Sequence, residues 1–115
     1  MPDNRKLDYV EFATRDIAAS KAFFETVFEW KFTDYGPDYT AFMRAEAGMD
    51  GGFYKGEPSD GALVIFYASD LETVLSDVTS SGGELVKPIF DFPGGQRFEF
   101  CEPGGNMLAV WSDPV

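Results

Sequence analysis

The sequence predicts an α+β domain made of two tandem modules, each with the order strand, helix, strand, strand, strand. Each half of the 115-residue chain begins with an apolar, strand-like run and continues with an amphipathic helix. Each half then ends in short alternating segments separated by glycine-rich turns. A shift of the sequence on itself by about 54 residues superimposes these patterns and places Asp16 over Asp70. We therefore expect a single domain over residues 1–115, with modules at residues 6–57 and 61–113.

The first module begins with the apolar run Leu7–Thr14, which is typical of a strand buried on both faces. Asp16 follows at a position suited to a helix N-cap, and the apolar spacing predicts an amphipathic helix over Ile17–Phe28. Three further strands are expected, one from Trp30, one over Tyr39–Glu46 and one after Gly48 that reaches Tyr54.

The second module follows a polar segment, Glu57–Ala62, that we interpret as a linker inside one domain. Leu63–Ala68 predicts a buried strand, and Ser69 with Glu72 predicts a capping box for a helix that ends before Gly82. Three strands are then expected, the first within Glu84–Phe92, where Pro88 limits pairing, and the last two within Gln96–Ser112 around the turn Glu102–Asn106.

Composition excludes several classes of function. The chain has no histidine, which removes Ser-His-Asp and Cys-His catalysis and every imidazole metal site, and its one cysteine, Cys101, cannot form an internal disulfide. The net charge of −11 and the lack of a basic cluster argue against nucleic acid. No apolar run is long enough for a membrane helix and the N-terminus does not resemble a signal peptide, so we expect a cytoplasmic protein without membrane partners.

Three segments, YVEFATRDIAASKAFFETVFEWKF, LVIFYASDLETVLSDVTSSGGELVKP and FEFCEPGGNMLAVW, together resemble the vicinal oxygen chelate superfamily. This group contains glyoxalases, bleomycin resistance proteins and ring-cleaving dioxygenases. The last segment is similar to the family's strand, turn and strand, with Glu102 in place of the usual aspartate. The resemblance implies paired βαβββ modules, a mixed sheet curved around a cavity, and commonly a homodimer.

The resemblance also implies a metal bound at the first and last strands of each module. The positions that match those of the family's ligands are Tyr9, Gly52, Leu63 and Ala109. Divalent metals in proteins prefer imidazole, carboxylate or thiolate ligands, and these four residues do not supply such a set. We therefore expect no metal cofactor, and metal-dependent glyoxalase or dioxygenase activity is disfavoured.

Strand alternation predicts which side chains share the cavity with these positions. A carboxylate in an apolar strand needs a partner, and Arg97 is the candidate for Glu11, either in a structural pair or as two poles of a site. We expect Glu99 to be a solvated rim residue. The predicted ligand-binding residues are Tyr9, Glu11, Phe42, Tyr54, Leu63, Tyr67, Arg97, Glu99 and Trp111.

Three functions remain open from these residues. The first is a metal-free protein that binds or sequesters a small, partly aromatic and cationic ligand. The second is a lyase- or isomerase-type enzyme of the same family that uses Glu11 as a general base, with Arg97 or Tyr9 stabilising an oxyanion. The third is an interaction module whose cavity is filled by its own side chains, since the chain has twelve phenylalanines.

Overall fold

The computed structural model describes residues 2–58 and 61–115. These residues form two compact units. The N-terminal unit is Tyr9–Leu63, and the C-terminal unit is Val64–Val115 together with the segment that ends at Asp8. The mixed α+β fold predicted from the sequence is confirmed, because each half contains a βαβββ arrangement.

In the N-terminal unit, the elements follow the predicted order with one addition, a short helix. They are β1 (Lys6–Thr14, which begins in the C-terminal unit), α1 (Ile17–Phe28), β2 (Phe32–Asp34), β3 (Tyr39–Phe42), α2 (Arg44–Ala47) and β4 (Asp50–Lys55). The strands are ordered β2-β3-β4-β1, and β1 is parallel to β4 while the other pairs are antiparallel. Helix α1 begins as predicted, because the Asp16 carboxylate accepts a hydrogen bond from the Ala19 amide at 3.0 Å.

The core of the N-terminal unit is made mainly of aromatic rings between α1 and one face of the strands. The Phe53 ring lies 5.4 Å from both the Phe12 and the Phe24 ring, measured between centroids. The Trp30 ring stacks on Phe24 at 4.9 Å and contacts Phe42 at 4.7 Å. Offset and tilted aromatic contacts of this kind stabilise a core beyond the area they bury.

In the C-terminal unit, five elements repeat the predicted pattern. They are β5 (Leu63–Tyr67, whose first residue belongs to the N-terminal unit), α3 (Leu71–Ser80), β6 (Glu84–Phe92), β7 (Gly95–Cys101) and β8 (Met107–Ser112). The strands are ordered β5-β8-β7-β6, and β5 is parallel to β8. Register shifts occur in β6 on both sides of Lys87, in the region where Pro88 was expected to limit pairing. Helix α3 covers a core formed by Ala68, Leu71, Phe98, Phe100 and Val110.

The predicted capping box of the second helix is wrong by one residue. The N-cap is Asp70, whose carboxylate accepts hydrogen bonds from the Thr73 amide at 3.2 Å and the Thr73 hydroxyl at 2.5 Å. Ser69 instead donates its amide to the side chain of Asn4. Asp70 is the repeat partner of Asp16, so the two modules start their helices in the same way.

The strand predicted over Tyr39–Glu46 is too long. Strand β3 ends at Phe42, and Arg44 begins the one-turn helix α2. The Asp50 carboxylate accepts a hydrogen bond from the Arg44 amide at 2.7 Å, and the helix ends at Gly48, whose φ of 87° favours glycine. Alternation within Tyr39–Glu46 does not reveal this contact, because Asp50 lies outside the segment. None of the described helices has the length and apolar character required to cross a lipid bilayer.

Candidate functional site

Three polar side chains meet on the face of the N-terminal unit that lies opposite α1. Tyr9 and Glu11 belong to β1, and Tyr39 belongs to β3. The Tyr39 hydroxyl is 2.7 Å from the Tyr9 hydroxyl and donates a hydrogen bond to the Glu11 carboxylate at 3.1 Å. We call these three residues the tyrosine–glutamate cluster.

The cluster depends on a glycine in the neighbouring strand. Gly52 of β4 is the register partner of Glu11 on one side and of Ala41 on the other. A Cβ atom at position 52 would lie 2.3 Å from the Tyr39 hydroxyl oxygen and 2.5 Å from its Cζ atom. Since such distances are shorter than any van der Waals contact, the phenol of Tyr39 uses the space that a side chain at position 52 would need.

Both phenols of the cluster are held in their protonated form. Burial raises the pKa of Tyr39 far above its ordinary value, and the negative charge of Glu11 raises it further. Burial is also the main reason why the pKa of Tyr9 is raised, and the negative charges of Glu11 and Asp50 add to this effect. Near neutral pH the cluster therefore presents two neutral hydroxyl groups beside a carboxylate, and the potential at Tyr9 is negative.

A second set of predicted residues lies together in the C-terminal unit, on the face opposite α3. Arg97 donates a hydrogen bond from Nη2 to the Glu99 carboxylate at 2.9 Å, and the two side chains are only 18% and 15% exposed. The Trp111 indole nitrogen donates to the Asp8 carboxylate at 2.9 Å, and the Trp111 ring lies 5.0 Å from that of Tyr67. These contacts join polar and aromatic side chains into one surface.

Tyr67 is tied to the end of the chain on this same surface. Its hydroxyl donates a hydrogen bond to the Asp113 carboxylate, and this bond is the main reason why the pKa of Tyr67 is raised. The Arg97 guanidinium also lies over two rings of β6, at 5.5 Å from the Phe90 centroid and 6.0 Å from the Phe92 centroid. Arg97 is thus fixed by a carboxylate and by aromatic faces.

For some of the predicted ligand-binding residues, alternation correctly indicates which side chains share a face of the strands, and their binding role stays a prediction. Tyr9 and Glu11 share a face, and Tyr67, Arg97 and Trp111 share another in the C-terminal unit. Half-buried Leu63 begins β5, two residues before Ile65, whose partner is Ala109. Half-buried Tyr54 is the register partner of Tyr39 and therefore lies on the face of the cluster.

Other predicted placements are corrected by the structure. Phe42 is 2% exposed and packs in the aromatic core, because β3 points Tyr39 rather than Phe42 toward the cluster. Glu99 is not a solvated rim residue, since it is largely buried against Arg97. The predicted pair of Glu11 and Arg97 would join the two units and stays a prediction.

Tyr39 is the residue that the sequence reasoning missed. The sequence contained a signal for Tyr39, because only a glycine at position 52 leaves room for a large side chain beside it on the same face. Within residues 2–58 and 61–115, no three His, Cys, Asp or Glu side chains come together in a way that could hold a metal ion.

The sequence matches a known protein family over most of its length. A sequence profile of the Glyoxalase/Bleomycin resistance protein/Dioxygenase superfamily matches residues 6–110. The chain is 28% identical over 116 residues to the protein named glyoxylase CFP32 in Mycobacterium tuberculosis and Mycobacterium bovis, and the match covers 90% of this chain and 44% of that protein. The chain therefore spans less than half the length of these curated relatives.

Two solved structures illustrate the structural likeness. The Mn(II)-bound glyoxalase from Novosphingobium aromaticivorans superposes with a TM-score of 0.72 at 19% identity, covering 100% of this chain and 41% of that chain. A glyoxalase/bleomycin resistance protein/dioxygenase superfamily member from Vibrio splendidus 12B01 superposes with a TM-score of 0.72 at 18% identity, covering 96% and 100%. At these identities the likeness shows the fold.

Proposed function

Because the chain belongs to the glyoxalase/bleomycin resistance protein/dioxygenase superfamily, we propose that it binds a small, partly aromatic, cationic molecule and does so without a catalytic metal. The tyrosine–glutamate cluster is the observation that carries this proposal. It joins a carboxylate to two aromatic rings, and these are the two groups that recognise an organic cation. The negative potential at Tyr9 and the net charge of −11 favour the same sign of ligand.

The donor groups at the family's metal positions support the metal-free part of the proposal. Tyr9 offers a phenol that is protonated and hydrogen-bonded to Tyr39. Gly52 has no side chain, and the ring of Tyr39 occupies the space beside it. Leu63 and Ala109 have no donor atoms, and Ala109 is fully buried. Such a set does not fit a divalent cation.

A binding experiment with a defined probe tests the ligand class. Benzyltrimethylammonium carries a permanent charge and an aromatic ring, and benzyl alcohol is a neutral control of similar size. We expect calorimetry to detect the cation and not the alcohol, and Glu11→Gln to weaken binding by at least about tenfold, since a carboxylate near a cation contributes more than about 1.4 kcal/mol. Glu25→Gln on the exposed surface of α1 is the matched control and should change little. Equal binding of both probes, or equal effects of both substitutions, would contradict the proposal.

Native mass spectrometry of protein taken from cells without added metal tests the remaining parts. We propose a homodimer that carries a small organic mass, and one spectrum reports both quantities. A divalent metal in stoichiometric amount would overturn the metal-free assignment. An unliganded dimer that also fails to bind benzyltrimethylammonium would favour the third function, an interaction module whose cavity is filled by its own side chains.

Catalysis by Glu11 is the second candidate, and the hydrogen-bonded chain of the cluster favours it. Tyr39 connects Glu11 to Tyr9, so Glu11 lies at the end of a chain of hydroxyl groups, which is a suitable place for a carboxylate that takes a proton from a substrate. The name of the curated relatives, glyoxylase, also points to an enzyme. Hydroxyacetone in deuterated water is a suitable probe, because a general base would exchange its activated C–H protons. Exchange that is lost in Glu11→Gln and kept in Glu25→Gln would support this candidate, and absence of exchange in the unmodified protein would reject it.

A further inference from the structure

The C-terminal unit contains a small apolar cavity, partly open to solvent, between α3 and its strands, on the side away from Trp111. Its volume is about 160 Å³. Phe66, Phe100 and Val110 line it from the strands, and Val74 and Val78 line it from the helix. This side of the strands also carries the core of the unit, so the cavity is an extension of the core toward the surface.

The residues of α3 that line the cavity are two valines. Val74 and Val78 are one helical turn apart, both pack against the core of the unit, and both line the cavity together with Phe66 and Phe100. An enclosed apolar cavity of roughly 150 Å³ in another protein stays dry and binds benzene, whereas the cavity here has a similar volume but is partly open to solvent. The volume here therefore suits a molecule with a benzene-sized apolar body.

One charged residue, Arg5, belongs to the lining, and because almost all of the exposed lining surface is apolar, its exposed guanidinium lies at the margin of the cavity. Its position is fixed by the backbone, because the Arg5 amide donates a hydrogen bond to the Tyr67 carbonyl at 2.7 Å. Its guanidinium donates from Nη2 to the Asp77 carboxylate of α3 at 3.2 Å, and both side chains are more than half exposed. An exposed ion pair of this kind contributes little to stability, so Asp77 can be replaced as the partner of Arg5.

We propose that this cavity is a binding site for a small monocarboxylate with a benzene-sized apolar body, whose carboxylate binds Arg5. A planar guanidinium can hold a carboxylate through two parallel hydrogen bonds, whereas it holds Asp77 through one nitrogen. The apolar body fills the space beside Val74 and Val78. This site lies in the other unit from the tyrosine–glutamate cluster and takes a ligand of the opposite charge, so it does not depend on the function proposed above.

A titration of the full chain with benzoate, followed by amide NMR, tests the site, with benzyl alcohol and benzyltrimethylammonium as probes of the same size and different charge. We expect saturable shifts in β5, α3 and β7 with benzoate. Arg5→Gln should weaken benzoate binding by about tenfold. Asp77→Asn should strengthen it several-fold, because it removes the competitor for Arg5 and a repelling charge. Val78→Phe should abolish it by filling the cavity, and Val74→Leu, a smaller change, should weaken it and serves if Val78→Phe does not fold.

Arg15→Gln provides the control for charge, because Arg15 is also an exposed arginine paired with a carboxylate, Glu57 at 3.0 Å, but lies in the N-terminal unit. It should leave benzoate binding unchanged. Absence of saturable shifts in the folded protein would overturn the proposal. So would equal binding of benzoate and benzyl alcohol with no effect of Arg5→Gln, or an equal loss in Arg5→Gln and Arg15→Gln.

Discussion

The replacement of Gly52 by alanine is the sharpest test of the cluster, because one added methyl group acts on one side chain. The backbone at Gly52 is not in the left-handed region, so alanine introduces no strain of its own. The new Cβ atom would meet the end of the Tyr39 ring at 2.3 to 2.8 Å. Tyr39 must therefore turn away, and its hydrogen bonds to Tyr9 and Glu11 are lost.

The expected cost follows from those two bonds. A hydrogen bond between neutral groups contributes about 1 kcal/mol and one to a charged group about 1.5–3 kcal/mol. Alanine regains about 0.4–1 kcal/mol by restricting the unfolded chain. Because the cluster is partly open to solvent, we expect Gly52→Ala to lower the free energy of unfolding by about 1–3 kcal/mol.

A double-mutant cycle measured by urea denaturation isolates this effect. In a Tyr39→Ala background the ring is gone, so Gly52→Ala should become neutral or slightly stabilising. Gly51→Ala is the matched control on the opposite face of the same strand. Its Cβ atom would lie 2.4 Å from the Val10 carbonyl oxygen, which is backbone and cannot turn away, so its larger cost should persist in the Tyr39→Ala background.

Two results would refute the reasoning. If Gly52→Ala is as stable as the unmodified protein, Tyr39 does not occupy the space beside Gly52. If its cost is the same with and without the Tyr39 ring, the cost arises elsewhere in β4 and the cluster has no role in it.

Two further predictions concern pH and helix capping. The pKa values of Tyr9 and Tyr39 are raised in the folded protein, so the contribution of the two neutral phenols to stability is complete below the ordinary phenol pKa of about 10. This contribution is lost as the pH rises above that value, by up to about 1.4 kcal/mol per pH unit for each phenol. Glu11→Gln should lower the pH at which tyrosinate absorbance appears, and an unchanged titration curve would contradict this prediction. Asp70→Ala should lower the melting temperature measured by circular dichroism by several degrees, whereas Ser69→Ala should not, because the Asp70 carboxylate is the cap and its hydrogen bonds to Thr73 lower its pKa. The difference between the two variants should be present above a pH of about 4 and should disappear as the pH falls through the lowered pKa of Asp70. Equal effects of the two substitutions would restore the capping box at Ser69.

The helices could be predicted from sequence because their signals are local. An aspartate N-cap followed by apolar residues at helical spacing is sufficient to place α1 over Ile17–Phe28 without tertiary information. The repeat of this pattern in the second half correctly indicated α3, and an aspartate cap in both halves would have corrected the error at Ser69. Turn glycines such as Gly82, with φ of 98°, likewise have a local conformational cause.

The register of β3 could not be predicted in the same way. Tyr39, Thr40, Ala41 and Phe42 alternate poorly in polarity, because Thr40 is fully buried and Tyr39 is a polar aromatic residue that suits either face. A slip of one residue moves every side chain to the other face, and for this reason alternation predicts Phe42 rather than Tyr39 at the site. The glycine pair in β4 resolves the choice, since a position without a side chain must be filled from a neighbouring strand.

Gly51 and Gly52 show how one strand can serve the core and the candidate site at once. On the face of α1, the missing side chain at Gly51 leaves room for the Phe42 ring, which would lie 2.5 Å from a Cβ atom there. On the opposite face, the missing side chain at Gly52 leaves room for the Tyr39 ring. On each face of the strand pair, one glycine of β4 therefore lies beside one large ring of β3. At the position where the family resemblance implies a metal ligand, this chain therefore has a gap filled by a phenol from the next strand. A change of ligand at Gly52 alone would not restore a metal site, because Tyr39 would have to be replaced at the same time.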